Sequence, residues 1–487
     1  MRFALVCRRR KRRPVLGLWF ANGGQYAIIM FTMHAVGVGT TRRRAIDMSA
    51  WQAERVHTDG VGSAVTKRFG LLRLPAEVRF GRGARAAVPD LLATLGARVF
   101  VVTDPFLATT EQFQATLASV RASSAQVDVY FDIPAELPVG AVQRAADAAA
   151  AFNPAVVLGY GGGSALDAAK LVALLCSHGG FLSDYYGENA VPGPTLPVVA
   201  VPTTAGTGSE VTPVAVVSDP ARELKVGISS PYLIPRLAVV DPELTMAAPR
   251  EVSVYSGIDA FVHAVESFTA RELHPEPSAL LPVFVGRDIL TEPLALAAVT
   301  LIHRALPRVF DDLGDAEARD DMAQGSLLAG MAFGSAGTHL SHAIQYPIGA
   351  MTHTPHGLGT GTLLPYVLQA CASAVPERLS RIADALGLPP TGSVPERAQQ
   401  AVDEVARLCA RVGLPVSLAD LGVGEGDTDR IVELTRRVTR LVAIAPMDTA
   451  GRGVEAIVRA AIRGDRNMLR GDRGSEERAV GSEEDPR

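Results

Sequence analysis

The chain has 487 residues, 48% hydrophobic and 20% charged; that is globular, and too long for one ordinary core, so two domains are the default. A formal net charge of −4 gives no reason to expect nucleic acid as a partner. The four cysteines, Cys7, Cys176, Cys371 and Cys409, lie far apart and form no CxxC, which argues for a reducing, cytoplasmic setting and against a disulfide framework or a thiolate zinc site.

Residues 8–13 read RRRKRR, and residues 14–41 then carry no Asp, Glu, Lys or Arg. A basic run before an apolar one is the pattern of a targeting segment or an anchor. Asn22-Gly-Gly-Gln25 interrupts the run and Arg42-Arg43-Arg44 follows it, so residues 1–68 are read instead as an extension, with an alternative start near Met48. No membrane partner is expected. At the other end, residues 466–487 are charged and nearly without apolar side chains, the composition of a disordered tail.

Over residues 69–246, short Val-rich runs alternate with helical patterns. Strands are predicted over 98–104, 127–131, 155–160, 196–202, 214–218 and 237–241, and helices over 139–152 and 165–176, the order of an α/β sheet domain. After Pro249 the texture changes. Helices are predicted over 254–270, 292–310, 316–335, 340–348, 376–385, 397–412 and 428–443, with a loop over 274–288. Residues 247–465 therefore read as an all-helical domain.

Two polar loops follow predicted strands. Gly159-Tyr160-Gly161-Gly162-Gly163-Ser164-Ala165-Leu166-Asp167 opens a helix, where free N–H groups and a partial positive charge suit a phosphate. It is a near miss to GxGxxG, and such turns also arise for packing alone. Pro202-Thr203-Thr204-Ala205-Gly206-Thr207-Gly208-Ser209-Glu210 is the second; together they suggest one nucleotide across the carboxyl ends of a parallel sheet. Asp104 ends a strand, where it suits either an adenosine ribose diol, favouring NAD over NADP, or a turn. Lys225 is either a cofactor or substrate cation or a solvated lysine.

Residues 338–357, THLSHAIQYPIGAMTHTPHG, hold four of the ten histidines: His339, His342, His353 and His356. Upstream, SGIDAFVHAVESF places Asp259 and His263 four apart, on one face of a helix. One carboxylate and up to three imidazoles form a mixed O/N site suited to iron, zinc or a similar first-row ion. The competing reading is a set of ordinary core or surface histidines, which two clusters in apolar helical patterns weaken.

Taken jointly, GGGSALDAAK, PTTAGTGSE, GIDAFVHAVES, GMAFGSAGTHLSHAI and TPHG resemble the iron-containing (type III) alcohol dehydrogenases in order and approximate spacing, over nearly all of residues 70–460. The resemblance implies a dinucleotide-binding α/β domain, an all-α C-terminal domain as in dehydroquinate synthase-like folds, and an active site between them. It implies Asp259, His263, His342 and His356 as ligands of Fe²⁺, with Zn²⁺ the alternative. It places NAD against Gly161, Gly162, Gly163, Ser164, Asp167, Thr203, Thr204, Thr207 and Lys225, with Asp104 at the ribose and Phe333 near the nicotinamide. His339 and His353 are left over: they suit supporting roles beside the ligands, but an ordinary structural role is the preferred reading for each. A homo-oligomer is the family expectation.

The implied reaction moves hydride between an alcohol and NAD, giving an aldehyde or ketone, with the metal as a Lewis acid. One position departs: where several alcohol-reducing members carry a histidine four residues after the third ligand, this chain has Tyr346. With PVFVGRD and FLSDYYGENAVPG, that looks more like the hydroxyacid-oxoacid transhydrogenase branch, which moves hydride between a hydroxy acid and an oxo acid on a retained nucleotide. Tyr346 is read as packing in preference to relaying a proton.

Overall fold

The computed structural model describes the backbone of residues 15–22 and 25–32, and residues 69–470 apart from 125, 223 and 277–279. The basic run at 8–13, the alternative start near Met48 and most of the expected tail lie outside the described residues. Met1–Thr66 is a unit of its own, in which β1 (Val15–Asn22) and β2 (Gln25–Thr32) pair antiparallel, Asn22 opposite Gln25. The apolar run therefore takes strand form, split at the Asn-Gly-Gly-Gln break.

Lys67–Arg487 is the second unit. Its sheet-bearing half holds β3 (Glu77–Phe80), α1 (Val88–Leu95), β4 (Arg98–Val102), α2 (Glu111–Ser123), β5 (Gln126–Tyr130), α3 (Val139–Phe152), β6 (Val156–Gly161) and α4 (Gly163–His178). There follow β7 (Gly187–Glu188), β8 (Val198–Pro202), β9 (Val214–Asp219), β10 (Leu224–Ser229) and β11 (Leu237–Val240). Six of these strands form a parallel sheet in the order β3-β11-β8-β6-β4-β5. Side chains alternate between its faces: Val99 and Val101 pack in the core that includes α1 and α2, Phe100 and Val102 in the core that includes α3 and α4. Both faces are covered, which is why these strands read as unbroken apolar runs.

The order also fixes where a ligand can sit. From β4 the chain moves outward to β5, then returns to lay β6 on the other side of β4 and continues through β8 and β11. The crevice beyond the carboxyl ends of β4 and β6 is thus a topological switch point, the usual ligand position in open α/β sheets. Asp104 follows β4, and Gly161–Gly163 end β6 and begin α4.

The helical half comprises α5 (Arg250–Thr269), α6 (Thr291–Asp311), α7 (Ala316–Ala336), α8 (Leu340–Thr352), α9 (His356–Cys371), α10 (Pro376–Ala385), α11 (Val394–Arg411), α12 (Thr428–Arg437), α13 (Thr439–Ala443) and α14 (Gly453–Arg463). The fold class is thus the expected one: a parallel α/β half followed by an all-α half. Helix α5 is its axis, packed against α6, α7 and α9 and buried continuously from Gly257 to Thr269. Phe261 and Phe268 are fully buried there, each worth about 1.5–3 kcal/mol of burial. Helix α6 alone among the described residues is long and apolar enough to cross a bilayer, but its Ala295, Ala298, Val299 and Ile302 lie in the protein core.

Several expectations shift. The strand at 214–218 belongs not to the parallel sheet but to a separate three-stranded sheet, β7-β10-β9. The helix expected over 340–348 runs further, through Pro347 to Thr352. Burial of Leu340, Ile344 and Ile348 against α9 and α14 outweighs the one lost backbone bond, a loss of about 3 kcal/mol. The helix stops at His353, which takes the left-handed conformation at φ 56°. The single helix expected over 428–443 is two, divided at Val438.

The halves meet backbone to backbone at Gly208, after β8, and Gly330, on α7. Gly208 has φ 61°, and a Cβ there would lie 2.5 Å from the Gly330 Cα. Gly208→Ala is therefore expected to cost about 1–3 kcal/mol, read as a lowered urea midpoint at unchanged m-value; an unchanged midpoint would show that the two backbones separate freely.

Candidate functional site

Helix α5 presents Asp259, His263 and Glu266 on one stripe, since positions four and three apart return to the same face. His342 comes from the first turn of α8, and His356 is the first residue of α9, with Pro355 as its N-cap. The Nε2 atoms of His263, His342 and His356 each lie 3.7 Å from an Asp259 carboxylate oxygen. That is too long for a hydrogen bond. It fits two ligands of one first-row ion, whose bonds are about 2 Å. Ligand atoms of Asp259, His263 and His342 all fall within 4.8 Å of one another.

The tautomer of His342 is set from behind. Its Nδ1 lies 2.7 Å from the Glu266 carboxylate, to which it donates, so its Nε2 carries a lone pair, and this buried atom has no hydrogen-bond partner. A neutral imidazole with a bare, buried nitrogen aimed at a carboxylate is the donor state that a metal requires. Burial opposes protonation of His263, pushing its pKa down to about 4 against the pull of Asp259. Burial likewise lowers that of His356, although about a quarter of its side chain reaches the cleft. For Asp259 burial acts upward, but the three imidazoles and a 2.9 Å hydrogen bond from the Thr360 hydroxyl prevail and hold it below the usual carboxylate range. The residues present therefore fit a divalent cation.

Glu266 was not singled out from the sequence, because its partners lie more than seventy residues away. It accepts from the backbone N–H of His339 (2.8 Å) and of Ser341 (2.6 Å) as well as from His342. It thereby caps the N-terminus of α8 with a charge that the helix dipole favours. Burial opposes its ionisation, but His339, His342 and the Ser341 N–H hold its pKa strongly down. His339 stands behind this carboxylate, its Nδ1 accepting from Leu340 N–H and its Nε2 donating to the Thr269 hydroxyl. His353 lies exposed in the turn before α9 and takes no part.

Phe333 stacks on the His263 ring, centroids 4.2 Å apart, while Gly206 and Gly357 press their backbones on Ser256 and Tyr255 behind the cluster. One cavity of about 240 Å³ runs from this cluster to the start of α4; Gly163, Ser164, Asp167, Thr207, Lys225, Phe333 and Tyr346 share it with the three histidines and Asp259. The two Gly-rich loops touch: a Cβ on Gly163 would lie 2.5 Å from the Thr207 side chain, and one on Gly162 would be 3.4 Å from Thr204. Thr203 is buried and pairs by its backbone with Gly161, outside the cavity lining.

Asp104 makes the turn of one of its two readings. Its Oδ1 accepts from Leu107 N–H at 2.9 Å in a turn, while its Oδ2 faces Gly161 across the switch point. Asp167 is committed to structure: it accepts from Ser209 Oγ (2.5 Å) and Val216 N–H (2.9 Å), with Lys170 at 3.7 Å. Lys170, which the motif reading passed over, is fully buried and donates to the carbonyls of Thr212 and Val214; burial lowers its pKa to about 8. Lys225 pairs with Glu136. Glu136 and Leu137 both adopt positive φ, 65° and 42°, a strained stretch of the cavity wall. Tyr346 packs with Ala343 and Leu441, its ring 6.1 Å from that of His356.

A nucleotide-type sheet crevice and a histidine–carboxylate cluster thus open on one cavity, the arrangement that a metal-dependent oxidoreductase working on a dinucleotide needs. Comparison with known proteins makes this specific. Residues 75–242 match the model "Iron-containing alcohol dehydrogenase" and residues 253–462 match "Fe-containing alcohol dehydrogenase family, C-terminal". The chain is 35% identical over 389 residues to long-chain-alcohol dehydrogenase 1 of Geobacillus thermodenitrificans, covering 79% of this chain and 94% of that protein. It is 31% identical over 396 residues to the mitochondrial hydroxyacid-oxoacid transhydrogenase of Caenorhabditis elegans, covering 76% and 85%. The sulfoacetaldehyde reductase of Bifidobacterium kashiwanohense, solved with NAD⁺, superposes with a TM-score of 0.70 at 26% identity, covering 82% of this chain and all of that one. The chain belongs to the iron-containing alcohol dehydrogenase family. It is an NAD-dependent alcohol oxidoreductase, and NAD and an iron ion are its cofactors.

Two outcomes test the geometry. In metal-free protein, His263 binds a proton less readily folded (about 4) than unfolded (about 6.5), and His356 shifts the same way. Their stabilising contribution is complete above about pH 6.5 and is lost as pH falls towards about 4, by up to about 1.4 kcal/mol per pH unit per group. The melting temperature of chelated protein should fall across that window, and His263→Gln should flatten the fall. Glu266→Gln should weaken metal binding about 10- to 100-fold, as direct titration would show; undiminished affinity would deny Glu266 any part in setting His342.

Proposed function

We propose that Asp259, His263, His342 and His356 together hold the iron ion of this oxidoreductase, a donor set that also accepts Zn²⁺. One observation carries the assignment: three Nε2 atoms face a single buried carboxylate at 3.7 Å, with that of His342 left bare by Glu266. The nucleotide lies across the switch point, its pyrophosphate at the N-terminus of α4, its adenosine ribose at Asp104 and its nicotinamide towards Phe333. The sheet-bearing half (69–246) is then the nucleotide-binding domain and the helical half (247–465) the metal-binding domain, with residues 1–68 part of neither; Arg466–Leu469, expected in the tail, instead form a helical turn packed on α9 and α14. Free Cys176, Cys371 and Cys409 support a cytoplasmic setting.

When bound, the ion supplies Lewis-acid activation of the substrate oxygen. The chain's own residues supply the rest. Neutral His263 and His356 keep their nitrogens available, and the ionised Asp259 balances the cation. Phe333, stacked on His263, makes an apolar wall that excludes water from the path of hydride transfer. Ser164 and Thr207 offer hydroxyls along the nucleotide side of the cavity. Tyr346 acts as a wall: it packs with Ala343 and Leu441, and burial raises its pKa, so it is a poor proton relay.

Replacing His356 by Ala should remove bound metal and turnover together, with NAD binding by the sheet-bearing half within about twofold of wild type, because the two sets of residues come from different halves. Metal analysis and nucleotide titration on the same preparation check both. An His356→Ala enzyme with full metal content and wild-type turnover would sink the assignment. Turnover of a hydroxy acid and an oxo acid without added NAD would move the protein to the transhydrogenase reading.

A further inference from the structure

Beside the cluster's cavity lies a second cavity of about 810 Å³, and Lys225, Tyr346 and Arg440 line both. The second cavity is walled by cations: Arg222, Lys225, Arg437 and Arg440, against Glu188 alone. Most of these charges are spoken for. Arg222 faces Asp219, Lys225 pairs with Glu136, and Arg437 lies 2.6 Å from Glu433. Arg440 differs. Among the described residues no carboxylate lies within ion-pair distance of it. Its guanidinium lies over the Phe284 ring, 4.3 Å from the centroid, and it lines both cavities together with Tyr346.

A guanidinium held over an aromatic face with no carboxylate partner keeps N–H groups available, and arginine presents these as a fork to a planar oxyanion. This one sits past Tyr346, whose ring is 6.1 Å from the His356 ring. The site thus offers an anchor for an alcohol oxygen at one end and for an anion at the other, with one tyrosine's breadth between.

We propose that Arg440 is a specificity-determining residue, and that the preferred substrates are short alcohols bearing a terminal oxyanion, carboxylate first and sulfonate second, and the matching aldehydes. This rests on the metal-cluster reading above. The carboxylate meets the Arg440 fork while the hydroxyl lies among the histidines; the Tyr346 ring and the apolar part of Leu137 line the carbon chain between.

The test is kinetic and calorimetric, on metal-loaded, full-length protein. Wild type, Arg440→Leu and Arg440→Lys are assayed over a ladder of straight-chain ω-hydroxy carboxylates, the matching hydroxy sulfonates and the matching n-alkanols. Wild type should show a lower KM for the acids than for alkanols of equal length. Arg440→Leu should raise KM for the acids about ten- to a hundredfold, with kcat, alkanol KM and NAD affinity unchanged. The lysine variant should recover part of the loss. Calorimetric binding of butanoate to the NAD-loaded enzyme should weaken in step, a readout independent of turnover. Equal losses for acids and alkanols would reduce Arg440 to packing on Phe284 and Tyr346, and weaker NAD binding would make it a cofactor contact; either overturns the proposal. So does a wild type that turns over alkanols with no preference for acids, which leaves the oxidoreductase reading standing. Stronger binding of the sulfonates would reverse the order of the two oxyanions and overturn the carboxylate preference. Failure to turn over any member, alkanols included, would instead overturn the reading beneath it and the proposal together.

Discussion

The Glu266 carboxylate carries more of this structure than any other single group. A buried, ionised carboxylate without partners costs several kcal/mol. Here it is surrounded by donors that need it equally: two N–H groups at the start of α8 and the Nδ1–H of His342. Satisfying the helix end fixes where α8 begins relative to α5. That places His342 opposite Asp259 and His263, and the same hydrogen bond decides which nitrogen of His342 is free. Helix packing, tautomer and the cluster are thus one arrangement.

The nucleotide side is built on a different constraint, the reversal of strand order at β4 and β6. It opens a crevice in which Asp104 and the Gly-rich start of α4 face each other. Buried charge holds the neighbouring segments in place: Asp167 ties α4 to Ser209 and to β9, while Lys170 holds the carbonyls of Thr212 and Val214. The strained pair Glu136–Leu137 completes the wall. Strain of this kind persists only where surrounding contacts over-determine it; the Ser218 N–H and hydroxyl, donating to the Leu137 and Glu136 carbonyls, provide those contacts.

How much of this was legible in the sequence follows from which interactions are local. The parallel strands were readable because burial on both faces makes them continuous apolar runs. The pair Asp259 and His263 was readable because helix geometry brings positions four apart together. Helix α9 was not: it opens HGLGTGT and contains Pro365, a composition that argues against a helix, yet its buried face against α5 and α11 holds it. Strand β10, with Gly227 inside and six residues long, carried too little pattern. Glu266 and Arg440 act only across long sequence separations, and no local periodicity marks them. The resemblance of the joined motifs supplied the cluster as a whole, because spacing alone could not say that His342 and His356 belong to it while His339 and His353 do not.

The contacts behind the histidines carry a consequence for altering what the enzyme accepts. Gly206, Gly208 and Gly357 lie against the backbone or Cβ of Ser256, Gly330 and Tyr255, so that side of the cleft is main chain on main chain. Main chain cannot be trimmed by substitution, and any added side chain there displaces a helix. Directed evolution of substrate scope has side chains to work on elsewhere in the lining, Tyr346 and Arg440 among them. Variants selected for bulkier alcohols should accumulate there, while the floor under the histidines stays refractory to change.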